Sequence, residues 1–246
     1  MIGEPPARLQ SSFRDILDGV RTGHVVISGQ TRYGKSTGAL FLFNSRIFDR
    51  RSYACHIFVD TKHDDDLLGH GVKCDNIVTL AYMIESRVDR IIYRPPGTRD
   101  RKNHLTDIVN CLFEYKERAS HKNTPFLLFV DELQLYAGKM AHHEGLERLA
   151  TTGAGKGILG VFLAQRLQDI HEQTLSQCNN TIVFYMRERP EYLKSRNLTA
   201  LIQWMDWLKE NKWHFAYQTS ENNDWELHAP VPLESVSKLK ESDFLP

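Results

Sequence analysis

Apolar residues in this 246-residue chain fall into short β-branched runs separated by segments of helical period. His24 to Ser28, and then stretches at about 55–60, 89–94, 125–131, 157–164 and 180–186, read as strands. Helical patterns lie between them at about 36–49, 79–88, 102–121, 142–152 and 172–178. The strand runs are apolar throughout rather than alternating, so both faces of the sheet should be covered, as in a mainly parallel sheet. An opening helix is expected over Pro6 to Val20, with Leu9, Phe13, Ile16, Leu17 and Val20 on one face. One long helix is expected from Arg189 to Glu210, followed by a polar hairpin at about 213–228 that turns between Glu221 and Asp224. The pattern therefore predicts an α/β fold in three parts: an N-terminal helix over 1–22, a principal domain over 23–210, and a C-terminal hairpin with its tail over 211–246.

Composition narrows the classes. The chain carries 31 Lys+Arg and 31 Asp+Glu, which excludes a polybasic arm or an acidic tail protein. A nucleic-acid partner stays open, because binding responds to local patches as well as to the sum. The charge is also unevenly spread: residues 221–246 hold Glu221, Asp224, Glu226, Glu234, Glu241 and Asp243 against Lys238 and Lys240, leaving the remainder mildly basic. The longest apolar runs, Phe126 to Val130 and Ile158 to Ala164, fall far short of the roughly 18 residues of a membrane span. The start, MIGEPPARLQ, lacks the apolar core of a secretory signal, so a cytoplasmic location is expected. Cys55, Cys74, Cys111 and Cys178 have no metal-ligand spacing and read as free thiols of a reducing compartment.

Candidate chemistry begins where the first strand ends. Gly29, Gln30, Thr31, Arg32, Tyr33, Gly34, Lys35 and Ser36 match the phosphate-loop pattern G-x-x-x-x-G-K-[ST], and Thr37 follows. The loop lies directly after an apolar strand and directly before a helix, where backbone N–H groups and the helix dipole can cradle phosphates. Lys35 is expected on the β- and γ-phosphates of ATP, and the Ser36 hydroxyl on Mg²⁺.

A second signal is the apolar strand Phe126 to Val130, ending in Asp131 and Glu132. Its last carboxylate falls at the carboxyl edge of the sheet, where α/β folds bind ligands. Asp131 is expected to serve the Mg²⁺ shell, and Glu132 to be the general base that orients water. Adjacent Asp-Glu suits hydrolysis coupled to mechanical work better than phosphate transfer to a hydroxyl. A third strand, Gly157 to Ala164, ends in Gln165, whose amide can bond both phosphate oxygen and water.

Four stretches together resemble the FtsK/HerA superfamily of P-loop DNA-translocating ATPases, most closely the genome-packaging ATPases of internal-membrane viruses. They are GQTRYGKST at 29–37, FVDTKHDD at 58–65, FLLFVDELQLY at 126–136 and GILGVFLAQRLQDIHEQTLSQCNNTIVFYM at 157–186. The resemblance covers about 22–200 and implies a P-loop NTPase of RecA-like type. It puts Lys35 and Ser36 on the phosphate lysine and Mg²⁺ serine, Asp131 and Glu132 on the metal carboxylate and catalytic glutamate, and Gln165 on the sensor glutamine. Asp60 and Lys62 match a second-strand Asp-x-Lys near the site. Many relatives carry a trans-acting arginine finger just before the strand at 157–164; Ala154 stands near that position here, leaving Arg148 and Lys156 as alternative trans cations.

Between Arg87 and Lys102 lie Arg87, Arg90, Arg94, Arg99, Arg101 and Lys102 against Asp89 and Asp100. Arg94, Arg99, Arg101 and Lys102 are the candidates for facing DNA phosphates, the alternative being a strand rim or subunit contact. His142, His143 and the KHDDD cluster at 62–66 have no third ligand at metal spacing. The resemblance implies a Mg²⁺-dependent ATPase that translocates double-stranded DNA as a homo-oligomer, a hexameric ring. Packaging of a viral genome into a preformed capsid is the favoured form, acting in the host cytoplasm and the virion, with a capsid vertex or membrane-associated protein as docking partner. The alternatives are a cellular or conjugative DNA translocase, and a related ATPase driving filamentous phage assembly or secretion.

Overall fold

The computed structural model describes residues 9–10, 12–48, 53–97, 101–137, 143–196, 198–221 and 224–237. In chain order the elements are α1 (Arg14–Thr22), β1 (His24–Ser28), α2 (Lys35–Asn44), β2 (Cys55–Val59), β3 (Val72–Cys74), α3 (Ile77–Glu85), β4 (Arg90–Tyr93), α4 (Arg101–Glu117), β5 (Phe126–Val130), α5 (Glu144–Arg148), β6 (Ile158–Ala164), α6 (Glu172–Ser176), β7 (Cys178–Val183), α7 (Pro190–Ser195), α8 (Thr199–Glu210), β8 (Phe215–Thr219) and β9 (Glu226–His228). Among the described residues, all nine strands join one sheet in the order β3-β4-β2-β5-β6-β1-β7-β8-β9. From β3 through β7 the pairing is parallel, and β8 and β9 add an antiparallel edge. The α/β class with a mainly parallel sheet is the one the pattern predicts.

Two cores follow from strand alternation. Phe126, Leu128 and Val130 of β5 face one side with Leu80, Ile108, Leu112 and Leu201 from α3, α4 and α8. Leu127 and Phe129 face the other, with Ile16, Val20, Ala39 and Leu42 from α1 and α2. Side chains from β6 divide the same way, Phe162 and Ala164 to the first side and Leu159, Val161 and Leu163 to the second. Helices thus cover both faces, which is why the strand runs carry almost no polar positions.

Several boundaries differ from expectation. Only Arg14 onward of the opening helix falls among its helical residues; positions 1–8 and 11 lie outside the described residues. The helix expected at 142–152 runs from Glu144 to Arg148 and continues through a wider turn, Leu149–Gly153, and a tight one, Ala154–Lys156. The expected single helix at 189–210 is two, because the Leu198 N–H closes back on the Leu193 carbonyl at 2.8 Å and ends α7. Edge strand β3 was not predicted: three residues with one buried side chain, Cys74, give too little alternation to read. The expected hairpin forms as β8 and β9 and continues the central sheet through β7.

Candidate nucleotide site

The phosphate loop begins at the carboxyl end of β1, between the ends of β6 and β7. Its path is fixed by those neighbours: Gly29 N–H donates to the Ala164 carbonyl at 3.2 Å and Gln30 N–H to the Tyr185 carbonyl at 2.8 Å. The turn into α2 uses left-handed backbone at Arg32 (φ 69°) and Gly34 (φ 114°). Gly34 also needs its missing side chain, since a Cβ there would lie 2.7 Å from the Phe184 ring. Gln30, Thr31, Arg32, Gly34, Lys35, Ser36 and Thr37 line an open cleft of about 160 Å³, joined by Lys62 and Trp213. Of the nine loop residues picked from the sequence, Gly29 and Tyr33 support this wall from behind. Gly29 packs beneath Phe184, and the Tyr33 ring lies 4.6 Å from that of Tyr185.

Strand register brings the remaining candidates to the same edge. Val130 is level with Phe162, and Ser28 with Ala164, so β6 stands between the loop strand and the acidic strand, ending level with the first and slightly beyond the second. Lys35 is 5% exposed, with Nζ 3.3 Å from Asp131 Oδ1 and 3.9 Å from Glu132 Oε1. Gln165 Nε2 donates to Glu132 at 3.3 and 3.4 Å. Lys62 Nζ donates to Glu132 Oε1 and lies 3.9 Å from Asp131 Oδ2. Gln134 donates to the other carboxylate oxygen.

Glu132 is therefore a buried carboxylate facing two ammonium groups and two amides. Burial pushes its carboxyl up, but the Lys62 hydrogen bond and the charges of Lys35 and Lys62 outweigh that and hold it below the usual range. The Lys62 ammonium is correspondingly held above its ordinary value: burial works against it, and the Glu132 bond and both carboxylates outweigh burial. The Glu132 backbone is left-handed, φ 49° and ψ 54°, which is uncommon without glycine and concentrates at functional positions.

Hard oxygen donors suit Mg²⁺, which takes one or two protein oxygens and fills its octahedron with phosphate and water. Ser36 sits exposed on the cleft in the first turn of α2, and Asp131 points at Lys35. These two fit a magnesium nucleotide. Among the described residues no cluster of three His, Cys, Asp or Glu side chains offers an alternative metal site. His143 caps α5, its Nδ1 accepting from Leu146 N–H at 3.0 Å; His142 lies outside the described residues.

Asp60, two residues before Lys62, does not reach the cleft. It is fully buried, bonded by Asp64 N–H at 3.1 Å and Arg94 Nε at 2.8 Å. Burial raises its carboxyl above the ordinary value against those bonds. This corrects the reading of Arg94 as DNA-facing. Its side chain is 8% exposed, it also reaches Asp65 at 3.2 Å and the Asp64 carbonyl, and so it folds the 60–65 turn. Arg90 is buried at the opposite end of the short strand β4, on the carbonyls of Asn44 and Ser45, so the six basic residues do not form one patch. Lys102 is exposed and Arg101 half-buried at the start of α4, while Arg99 lies outside the described residues.

Neither candidate trans cation lies by the loop. Lys156 precedes β6, a strand of about 23 Å at ordinary rise, and pairs with Glu117 at 3.1 Å. Arg148 bonds Asn110 at 2.7 Å and covers the Phe113 ring at 4.1 Å. What the sequence did not reveal is Trp213. Its backbone is left-handed (φ 69°), it is 56% exposed, and it lines the cleft with its backbone beside Gly34 of the loop. On sequence it reads, with Trp204 and Trp207, as a core or interface aromatic, the alternative being nucleic-acid stacking.

No known family model matches the chain, and no curated protein matches it. Solved structures do. The genome packaging NTPase B204 from Sulfolobus turreted icosahedral virus 2, in complex with ATP-gammaS, superposes with a TM-score of 0.70 at 15% identity, covering 86% of this chain and 99% of that one. The DNA-packaging ATPase from Sulfolobus turreted icosahedral virus gives 0.69 at 17% identity, over 87% and 100%. EccC ATPases 2 and 3 from Thermomonospora curvata, in complex with a signal sequence peptide, give 0.58 at 15%, over 92% of this chain and 40% of that one. The shared property is the fold of P-loop ATPases.

Proposed function

We propose that the chain is a Mg²⁺-dependent ATPase that drives double-stranded DNA, in the form of a viral genome-packaging motor. The observation that carries the ATPase reading is the meeting of Lys35, Asp131, Glu132 and Gln165 at one sheet edge beside the phosphate loop. Gln30 to Thr37 would wrap the phosphates, with Lys35 on the β- and γ-phosphoryl oxygens. Trp213 offers a flat apolar wall for the base. Ser36 and Asp131 would hold Mg²⁺, which would supply Lewis-acid neutralisation of the phosphate charge. Glu132, oriented by Gln165 and Gln134, positions water in line with the γ-phosphorus. Kept low by its cations, the carboxylate stays ionised and able to accept a hydrogen bond from that water across neutral pH.

The DNA cargo is supported by the resemblance of the four motifs and by the match over nearly the whole length of packaging NTPases. A protein-moving motor would keep the same ATPase residues; the higher TM-scores of the packaging NTPases, 0.70 and 0.69 against 0.58 for EccC, favour the packaging form. A ring of six, docking at a capsid vertex or a membrane-associated partner in the host cytoplasm, completes the proposal, with Lys102, Arg101 and Arg99 toward the duplex. Among the described residues no helix is long and apolar enough to cross a membrane. In the decisive assay ATP turnover is measured with and without long double-stranded DNA. DNA should stimulate it severalfold, Lys35→Ala should abolish it, and Glu132→Gln should bind ATP without hydrolysing it. A rate indifferent to DNA of every length sinks the translocase reading and leaves the ATPase reading standing.

A further inference from the structure

Phosphoryl transfer spreads negative charge over the γ-phosphoryl oxygens, and P-loop sites commonly need a cation beyond the loop lysine to balance it. Four observations bear on where that cation comes from. First, Lys62 lines the same cleft as Ser36 and Thr37, and its side chain is 48% exposed there. Second, of the cations lining the cleft, Lys35 and Lys62 are the two that reach the carboxylates. Third, the backbone that presents Lys62 is fixed on both sides. Asp60 is clamped by Arg94, Thr61 Oγ1 donates to the Asp131 carbonyl at 3.2 Å, and His63 adopts φ 57° with its Nε2 3.1 Å from the Pro95 carbonyl oxygen. Fourth, Arg148 and Lys156 are engaged with α4 away from the loop, so neither serves the chain's own site.

We propose that Lys62 is the second phosphate-side cation of this site, supplied by the chain to its own nucleotide. The inference rests on the ATPase reading above. Lys62 lines the cleft while its Nζ bonds Glu132, so rotation of its flexible stem would exchange a carboxylate oxygen for a γ-phosphoryl oxygen. As the water oxygen bonds to the γ-phosphorus, the bond to the β–γ bridging oxygen breaks and ADP leaves with the electron pair. Glu132 takes the water proton, and Lys62 neutralises the charge on the transferring group. The Asp60–Arg94 pair then has a reason to be buried, since it holds the turn that aims Lys62.

The test compares Lys62→Met and Lys62→Arg with the full-length wild type, reading kcat and ATP affinity separately. Lys62→Met should lose at least a hundredfold in kcat, the scale of removing one preorganised charge-stabilising group, with ATP affinity changed less than fivefold. Lys62→Arg should recover a substantial part of the rate. Mixing Lys62→Met with Lys35→Ala chains separates cis from trans. A trans cation would be restored at interfaces where an intact loop meets an intact Lys62, whereas a cis cation leaves every site defective. The proposal is overturned by a Lys62→Met enzyme within threefold of wild-type kcat, by rate loss that is entirely lost ATP binding, or by recovery of activity on mixing. If methionine unfolds the chain, Lys62→Gln takes its place under the same criteria. Absence of ATP turnover in the wild type would instead refute the ATPase reading itself.

Discussion

At the scale of single residues, local motifs announced themselves and long-range contacts did not. Lys35 and Ser36 could be named because the loop chemistry demands them at fixed spacing from Gly29 and Gly34. Trp213 could not, since its place by the loop depends on the path after α8 and on a left-handed backbone that no periodicity reports. A bulky residue held in that conformation is strained, and its exposure suggests that the strain serves the cleft. Stacking of a base on an aromatic ring contributes roughly 1–3 kcal/mol. Trp213→Ala should therefore raise the KM for ATP about tenfold with kcat little changed. Inhibition by inorganic tripolyphosphate, which has no base, should be unaffected; equal weakening of both would reject a base platform. His24 gives a second residue-scale prediction. Its buried Nδ1 accepts from Gly160 N–H at 2.8 Å, joining β1 to β6 at the end of β1 remote from the phosphate loop. Burial lowers its pKa from 6.5 to about 4, with carbonyls of Ala150 and Leu149 partly offsetting this. An unfolded chain binds the proton first, so the contribution is whole above pH 6.5 and is lost as pH falls toward 4. The loss should reach on the order of 3 kcal/mol. Urea midpoints measured from pH 7 to 4.5 should fall in that window, and less so for His24→Gln.

Among elements, the decisive arrangement is β6 standing between β1 and β5. Chain order gives no hint of it, because β6 follows β5 by more than twenty residues and β1 by more than a hundred. The glutamine-ended strand pointed to β5 as a neighbour, and the register then sets Gln165 against Glu132. Charge counting failed at this scale. Arg94 looked like part of a basic loop because a run of charges carries no sign of which members a partner has taken. Asp60, 34 positions earlier, was that partner. Removing one member of a buried ion pair strands the other, so Arg94→Ala should destabilise the fold by about 3–5 kcal/mol. Chemical denaturation would measure this. Lys102→Ala should instead leave stability unchanged and reduce the salt slope of DNA binding by about one unit. Should Arg94→Ala keep wild-type stability and lower the salt slope in the same way, the DNA-facing assignment returns.

The whole molecule decides where the acidic tail can be cut. By charge alone, residues 221–246 would be separable from hydrolysis, their removal leaving ATP turnover largely intact and altering assembly or docking. The structure draws the line elsewhere. β9 pairs with β8 and carries Leu227 at 1% exposure, His228 stacks on Phe215 with ring centroids 5.1 Å apart, and Gln10 returns from the N-terminus to bridge His228. Farther along, Val231 is buried, and the Ser235 carbonyl accepts from Asn44 at the end of α2, the helix that carries the phosphate loop. Burying Leu227 and Val231 contributes roughly 1.5–3 kcal/mol each, before counting the unpaired edge that their loss would leave on β8. A chain ending at Ser220 should therefore lose several kcal/mol of stability and much of its ATPase activity at 37 °C. A chain ending at Ser237 sheds Lys238, Lys240, Glu241 and Asp243 but keeps the hairpin. Its melting temperature and basal ATP turnover should match those of the full chain, and any change should fall on oligomeric state or docking. If the Ser220 truncation melted with the full chain, the hairpin would be dispensable to the sheet, and the tail could again be treated as one removable piece.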